Sequence, residues 1–121
     1  MSASADLSLR RIILEMGTGN DLYGENYTKA ACRAVQDAIH HSSLLLFRSL
    51  DIDPATMEIA VTVAAQQPDA VDREAVAREL PYGRVSVEVT PGGLDIDHPD
   101  TGRRSVIVNV ALDVRVPIPA R

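Results

Sequence analysis

Strict alternation of apolar and polar residues is the feature that most limits the fold of this chain. Three segments show it: Met57–Ala65, Arg84–Thr90 and Ser105–Val116. Each predicts a β-strand with one buried face, because successive side chains of a strand point to opposite faces of its sheet. Strands covered by helices on both faces have continuous apolar runs instead. We therefore expect every helix to lie on one face of the sheet.

The other elements follow from helical periodicity and capping signals. Arg10–Met16 predicts the first strand, and Tyr27–Ser42 predicts the first helix with Asn26 as its N-cap. A short second helix begins after Asp69 or Asp72. The predicted order is strand, helix, strand, helix, strand, strand (βαβαββ). It indicates an α/β (α+β) fold, a two-layer sandwich with a four-stranded mixed sheet and two helices on one face.

A chain of 121 residues predicts a single domain, spanning residues 1–121. Two connectors, Ser42–Pro54 and the long loop Pro91–Arg104, have no predicted regular structure. The second face of the sheet is expected to be polar and of mixed sign, either solvated or paired with another copy. Its predicted members are Arg11, Glu15, Glu58, Thr62, Ser86, Glu88, Ser105, Asn109, Asp113 and Arg115.

The first helix carries an apolar stripe made mostly of alanine, which predicts a close approach to the sheet. Arg33 and Gln36 fall away from the stripe and are expected to be more exposed. The residues predicted to be buried are Ala31, Ala34, Val35, Ala38 and Ile39.

A glycine-rich bend precedes this helix and is the predicted ligand site. Strand, bend and helix N-terminus are where α/β proteins hold ligands, because free backbone amides converge there. The alternative is that the glycines only permit positive φ in a tight connection. The candidate ligand-binding residues are Gly17, Gly19, Asp21, Gly24, Glu25 and Lys29.

Charged side chains give this bend its candidate chemistry. Asp21, Glu25 and Lys29 could form an acid/base or ligand-clamping set. Glu25 and Lys29 are four residues apart, so they could equally form an exposed ion pair of little energetic weight. The catalytic residues are unknown, with Lys29 and Glu25 as candidates. A rival site is the acidic loop whose Asp95, Asp97, His98 and Asp100 could bind a cation.

Composition excludes several classes of function. The net charge of −5 and the aromatic content of 3% argue against nucleic-acid binding. His40 and His41 are adjacent, so they do not form the i, i+4 metal pair, and we predict neither a metal nor another cofactor. Cys32 is the single cysteine, which fits a reducing compartment. With no signal-like or membrane-spanning run, we expect a cytoplasmic protein that does not contact membranes.

The bend and helix together resemble a known family. The motif runs Met16-Gly-x-Gly-x-Asp-Leu-x-Gly24 and continues as Thr28-Lys-Ala-Ala-x-Arg-Ala-Val-x-Asp-Ala-Ile39, with Pro81-Tyr-Gly83 and the Val-Ser-Val-Glu-Val strand later. It resembles the short conserved hypothetical proteins named after a listerial (Lin-type) locus. That resemblance implies a fold and a site location, and no activity.

A second resemblance is to the ring-opening amidohydrolases, the cyanuric acid hydrolase and barbiturase group. Gly17-Thr-Gly-Asn20 and Asn26-Tyr-Thr-Lys29 are similar to motifs in one of their three fused units. The bend lysine of that family has no counterpart in Met16–Asn20, and its Ser-Gly-Gly motif is not evident. The resemblance implies a hydrolase of a cyclic amide and an assembly around a central site. In such a hydrolase Lys29 would be the base or the nucleophile-activating group, oriented by a carboxylate.

Two functional hypotheses therefore remain. The first is a homo-oligomer, trimer or higher, that binds a small polar metabolite at the Gly17–Lys29 bend. The second is the cyclic-amide hydrolase.

Overall fold

The structure is a computed structural model that describes residues 7–41 and 52–119. Most of the connector predicted at Ser42–Pro54 lies outside these residues. None of the described helices is long and apolar enough to cross a membrane. The elements are β1 (Leu7–Asp21), α1 (Tyr27–His41), β2 (Glu58–Ala65), α2 (Arg73–Ala77), β3 (Arg84–Pro91), β4 (Leu94–His98) and β5 (Arg103–Pro119), with 3-10 turns at Pro54–Thr56 and Pro68–Ala70.

The strands form one mixed sheet of five strands, one more than predicted. The order is β1-β5-β2-β3, and β4 also pairs with β5. β2 and β3 are parallel, and the other pairs are antiparallel. The prediction that Pro91–Arg104 is a loop was wrong in part, because this segment contains β4 and the turn that joins β4 to β5. The coarse prediction of an α+β fold with a mixed sheet and two helices is confirmed.

Both helices cover the same face of the sheet and share one core. The Cys32 sulfur of α1 lies 3.8 Å from the Ala75 carbonyl oxygen of α2. The predicted stripe of α1 faces this core, although Ile39 is only partly buried. Arg33 is exposed and Gln36 is intermediate, as expected. The fully buried members of the stripe are Ala31, Ala34, Val35 and Ala38.

Glycines in β1 allow α1 to lie unusually close to the sheet. The first strand was predicted to end at Met16, but it continues to Asp21 and includes Gly17 and Gly19. A Cβ atom on Gly17 would lie 2.2 Å from the Ala34 carbonyl oxygen. Positive φ is found at other glycines and at neither of these two. Their role is therefore helix packing, and the expectation that they shape the bend is corrected.

We expect Ala34→Leu to lower the free energy of unfolding by about 1–3 kcal/mol, because the added carbons have no room between α1 and β1. Chemical denaturation measures this loss. His40→Leu changes an exposed residue near the C-terminal end of the same helix and should stay within about 0.5 kcal/mol of wild type. An unchanged denaturation curve for Ala34→Leu would contradict close packing of α1 on the sheet.

The open face of the sheet is more apolar than predicted because β1 contains a bulge. Its register with β5 shifts between Arg11 and Ile13, which reverses the faces of all later residues. Glu15 lies opposite Leu112 on the helix-covered face, so its predicted position was wrong. Leu14 and Met16 take the open face instead and are 55% and 71% exposed.

Candidate functional site

The bend between β1 and α1, residues 22–26, is held in place by one buried carboxylate. Asp21 accepts hydrogen bonds from the backbone amides of Gly24 and Asn26, each at 3.1 Å. Asn26 in turn accepts from the Lys29 amide at 3.0 Å, which confirms it as the N-cap of α1. Asp21 thus satisfies backbone amides of the bend with its side chain, as an N-cap residue satisfies those of a helix.

The surroundings of Asp21 stabilise its ionised form. Burial acts to raise the pKa of Asp21, but the backbone amides of Gly24, Asn26 and Tyr23 and the nearby Lys29 ammonium act against it. The pKa of Asp21 consequently lies below its ordinary value. The carboxylate is ionised at neutral pH, and its negative charge is stabilised by the backbone amides of the bend.

Glu25 and Lys29 do not form the exposed ion pair that their spacing allowed as one alternative. Both side chains are exposed, and no ion pair joins them in the described part of the chain. Glu25 has a φ of 53°, a left-handed conformation that non-glycine residues seldom adopt. It follows that the sharp turn into α1 is made at Glu25 and not at a glycine.

A cleft of about 520 Å³, here called the bend cleft, opens beside this carboxylate. Lys29 and Arg33 stand one helical turn apart on its α1 side. The Arg33 guanidinium donates to the Asn20 carbonyl oxygen at 2.7 Å and lies 3.9 Å from the Asp21 carboxylate. The lining residues are Asn20, Asp21, Leu22, Tyr23, Gly24, Lys29 and Arg33.

The bend cleft includes only part of the predicted ligand set. Asp21, Gly24 and Lys29 line it. Gly17 and Gly19 are buried beneath α1 and do not. Glu25 is exposed next to the cleft without lining it. Arg33 also lines the cleft, whereas the sequence predicted only that it would be exposed.

A second cleft of about 410 Å³, here called the hairpin cleft, lies on the other side of the bend. The Arg103 guanidinium donates to the Tyr23 carbonyl oxygen at 3.0 Å, tying the β4–β5 hairpin to the bend. Leu22 and Tyr23 separate the two clefts and line both. The lining residues are Leu22, Tyr23, His98, Asp100, Thr101, Arg103 and Ser105.

His98 and Ser105 form a pair in the hairpin cleft that sequence reasoning missed. Their Nε2 and Oγ atoms are 2.7 Å apart. Ser105 is buried, and its hydroxyl also donates to the Leu22 carbonyl oxygen at 3.3 Å. A hydroxyl donating to a backbone carbonyl is not donating to a general base. The pair therefore serves to hold the bend, and it does not resemble an activated nucleophile.

The acidic residues of β4 are engaged by neighbouring side chains. Arg104 contacts Asp97 at 2.8 Å and Asp95 at 3.7 Å. The buried Tyr27 hydroxyl donates to Asp95, and the pKa of Tyr27 is raised, first by burial and then by that carboxylate. Within residues 7–41 and 52–119, no three His, Cys, Asp or Glu side chains are grouped to hold a metal ion.

Comparisons with known proteins identify a family model and a crystal structure that this chain matches. A family model described as "Conserved hypothetical protein (Lin0512_fam)" matches residues 11–114, which include both clefts. The crystal structure of a FtsZ-like protein of unknown function from Nostoc punctiforme PCC 73102 has a TM-score of 0.78 and 32% identity, covering 93% of this chain and 99% of that chain. No curated protein matches. The resemblance to ring-opening amidohydrolases stays a prediction.

Proposed function

We propose that this chain, which belongs to the Lin0512 family of conserved hypothetical proteins, is a homo-oligomer that binds a small polar metabolite in the bend cleft. The observation that carries the proposal is the placement of Lys29 and Arg33 one turn apart, beside the buried Asp21. Two backbone amides already bind the Asp21 carboxylate, so we assign the ligand to the Lys29 ammonium and to the Arg33 N–H groups that do not donate to Asn20. The metabolite is therefore an anion, carrying a carboxylate or a phosphate group.

The shape and chemistry of the cleft fit such a ligand. Its volume lies within the range of about 300–1,000 Å³ that is usual for small-molecule sites. Arg33 offers a planar donor group that matches two oxygens of one anion, and Lys29 adds a compact charge. Tyr23 is 75% exposed at the rim and can cover an apolar part of the ligand.

The test is a thermal-shift screen of carboxylate and phosphate metabolites. For a compound that stabilises the wild type, we expect Lys29→Ala and Arg33→Ala each to weaken binding about 10- to 100-fold, since a hydrogen bond to a charged group contributes about 1.5–3 kcal/mol. Titration calorimetry measures the affinities. Arg10→Ala is the matched control, because Arg10 is an exposed arginine near the opposite end of β1.

Two outcomes would contradict this site. Stabilisation that survives both substitutions would show that the cationic groups do not hold the ligand. Stabilisation that disappears with Arg103→Ala, and not with Lys29→Ala, would move the ligand to the hairpin cleft.

The oligomer part of the proposal is supported by the open face of the sheet. Large apolar side chains stand exposed there: Leu14 and Met16 on β1, and Leu94 and Ile96 on β4. Such side chains on an otherwise polar sheet are typical of a protein–protein contact. Light scattering that gave only a monomer mass at micromolar concentration would contradict this part. A trimer or higher assembly is favoured only by the amidohydrolase resemblance.

The hydrolase alternative requires Lys29 to take up a proton during the reaction. A lysine in that role is normally oriented by a hydrogen-bonded neighbour. Within the described residues, no carboxylate is hydrogen-bonded to Lys29. The geometry thus favours binding over amide hydrolysis.

A further inference from the structure

The outer edge of β3 is a free strand edge with a definite set of unpaired backbone groups. The Arg84 amide donates to the Met57 carbonyl oxygen, and the Gly92 amide donates to that of Ala65. Both even-numbered residues therefore direct their amides toward the β2 side. Because successive residues of a strand alternate in direction, Val85, Val87 and Val89 direct their N–H and C=O groups outward. No described strand pairs with that edge.

Two opposite charges flank the centre of this strand. Arg84 and Glu88 lie on the open face, symmetrically on either side of Ser86. Arg84 is 72% exposed and contacts Glu58 on β2 at 2.7 Å. Glu88 is exposed and has no ion-pair partner among residues 7–41 and 52–119. Charges on an edge strand usually oppose pairing with other strands, but a symmetric pair of opposite sign favours one particular pairing.

We infer that two copies of this chain pair antiparallel through β3, about a two-fold axis at Ser86. In this register Arg84 lies opposite the partner's Glu88, and Val85 lies opposite the partner's Val87. The valines form the hydrogen-bonded pairs because their backbone groups face outward. The charged residues fall at non-hydrogen-bonded pairs, where opposing side chains are closest. The two sheets become one continuous ten-stranded sheet.

Charge excludes the neighbouring registers. An axis at Arg84 or at Glu88 would place like charges directly opposite each other, which is destabilising. An axis at Val87 would place Glu88 opposite the partner's Ser86 and leave both charges unmatched. Only the axis at Ser86 pairs both charges, and a two-fold axis repeats the match in both directions.

This inference rests on the oligomer part of the proposed function and adds to it an edge contact through β3, separate from the apolar side chains of β1 and β4 on the open face. It predicts an even number of subunits: a dimer, or a larger assembly that contains two-fold axes. The metabolite site is independent of it, since the bend cleft lies at the end of β1, which is at the other side of the sheet order.

Val87→Pro tests the pairing directly. Proline removes the outward amide of Val87 and places its ring at the free edge, while the β2–β3 hydrogen bonds use the even-numbered residues. We expect the mass measured by sedimentation equilibrium to fall by half. Val87→Ala is the matched control, because it shortens the side chain and keeps the amide, and its mass should equal that of wild type. An unchanged mass for Val87→Pro would overturn the inference.

Charge variants test the register without altering the backbone. Glu88→Arg alone and Arg84→Glu alone place like charges opposite each other, so each protein should dissociate. Mixing the two should restore the assembly as a hetero-pair, since each glutamate then faces an arginine. Circular dichroism checks that every variant is folded. No dissociation of the single variants, or no recovery on mixing, would contradict the register.

The mass of the wild type separates this inference from the broader proposal. A trimer would overturn pairing through β3 and leave the proposed homo-oligomer intact. A monomer would overturn both, while the ligand titrations would still decide the role of the bend cleft.

Discussion

Gly19→Ala should lower the free energy of unfolding by about 3 kcal/mol or more, at or beyond the upper end for overpacking in a core. The new Cβ atom would lie 2.1 Å from the Ala30 carbonyl oxygen and 2.3 Å from the Ala34 amide nitrogen. Both contacts are with helix backbone, which cannot move aside as a flexible side chain can. Either α1 shifts away from β1 along its length or the strand distorts. Chemical denaturation gives the loss.

Asn20→Ala is the matched control for this substitution. It introduces the same residue at the next position of β1, where the side chain is exposed on the opposite face. Its effect should stay within about 0.5 kcal/mol. Equal losses for the two variants would show that strand propensity, and not helix approach, explains the glycine at position 19.

The glycines also show where sequence reasoning about the fold succeeded and failed. The alanine stripe of α1 predicted a close approach to the sheet, and Ala34 and Ala38 are fully buried. The same approach requires glycine on the facing strand, yet glycine is normally read as a strand terminator. Gly17 and Gly19 were therefore assigned to a bend, and β1 was predicted five residues too short at its C-terminal end, at Met16 instead of Asp21.

The sequence analysis did not predict β4 because the polar residues of this strand are aspartates. Leu94 and Ile96 alternate with Asp95 and Asp97, which is a strand pattern, but aspartate has a low strand propensity and the segment is short. Arg104 on β5 balances both carboxylates. A single sequence does not reveal that balance, since it depends on the register of the hairpin.

The candidate site was predictable in location and not in detail. The link from strand to helix pointed to the bend, and Asp21, Gly24 and Lys29 do line one cleft. Asp21 accepts hydrogen bonds from two backbone amides within five residues of it. Aspartate often binds nearby amides in this way in Asx turns, so this role of Asp21 could have been predicted from the sequence. The contact between Arg103 and the Tyr23 carbonyl joins residues 80 positions apart, and no local pattern encodes it.

The buried carboxylate gives the second large expected effect. Asp21→Ala leaves the Gly24 and Asn26 amides without their acceptor, and each such hydrogen bond to a charged group contributes about 1.5–3 kcal/mol. We expect a loss of about 3–5 kcal/mol in the free energy of unfolding. Asp21→Asn retains one acceptor oxygen and should lose about half as much. Asp69→Asn, at an exposed aspartate in a 3-10 turn, is the control and should be near neutral.

Acid should remove this stabilisation. The pKa of Asp21 lies below its ordinary value in the folded chain, so the unfolded chain binds the proton first as the pH falls. The contribution of the charge is complete above the unfolded pKa of about 3.9 and is lost as the pH falls from there through the folded pKa. The pKa of Asp113 is lowered too, by Arg11 foremost, so the total acid dependence has more than one source.

Comparison of wild type with Asp21→Asn isolates the contribution of Asp21 to the acid dependence of stability, because Asp113 is present in both proteins. The difference between their unfolding free energies should be constant at neutral pH and should shrink steadily below about pH 4. Urea denaturation across this range measures it. A difference that stays constant into acid would show that the charge of Asp21 contributes nothing to the stability of the bend.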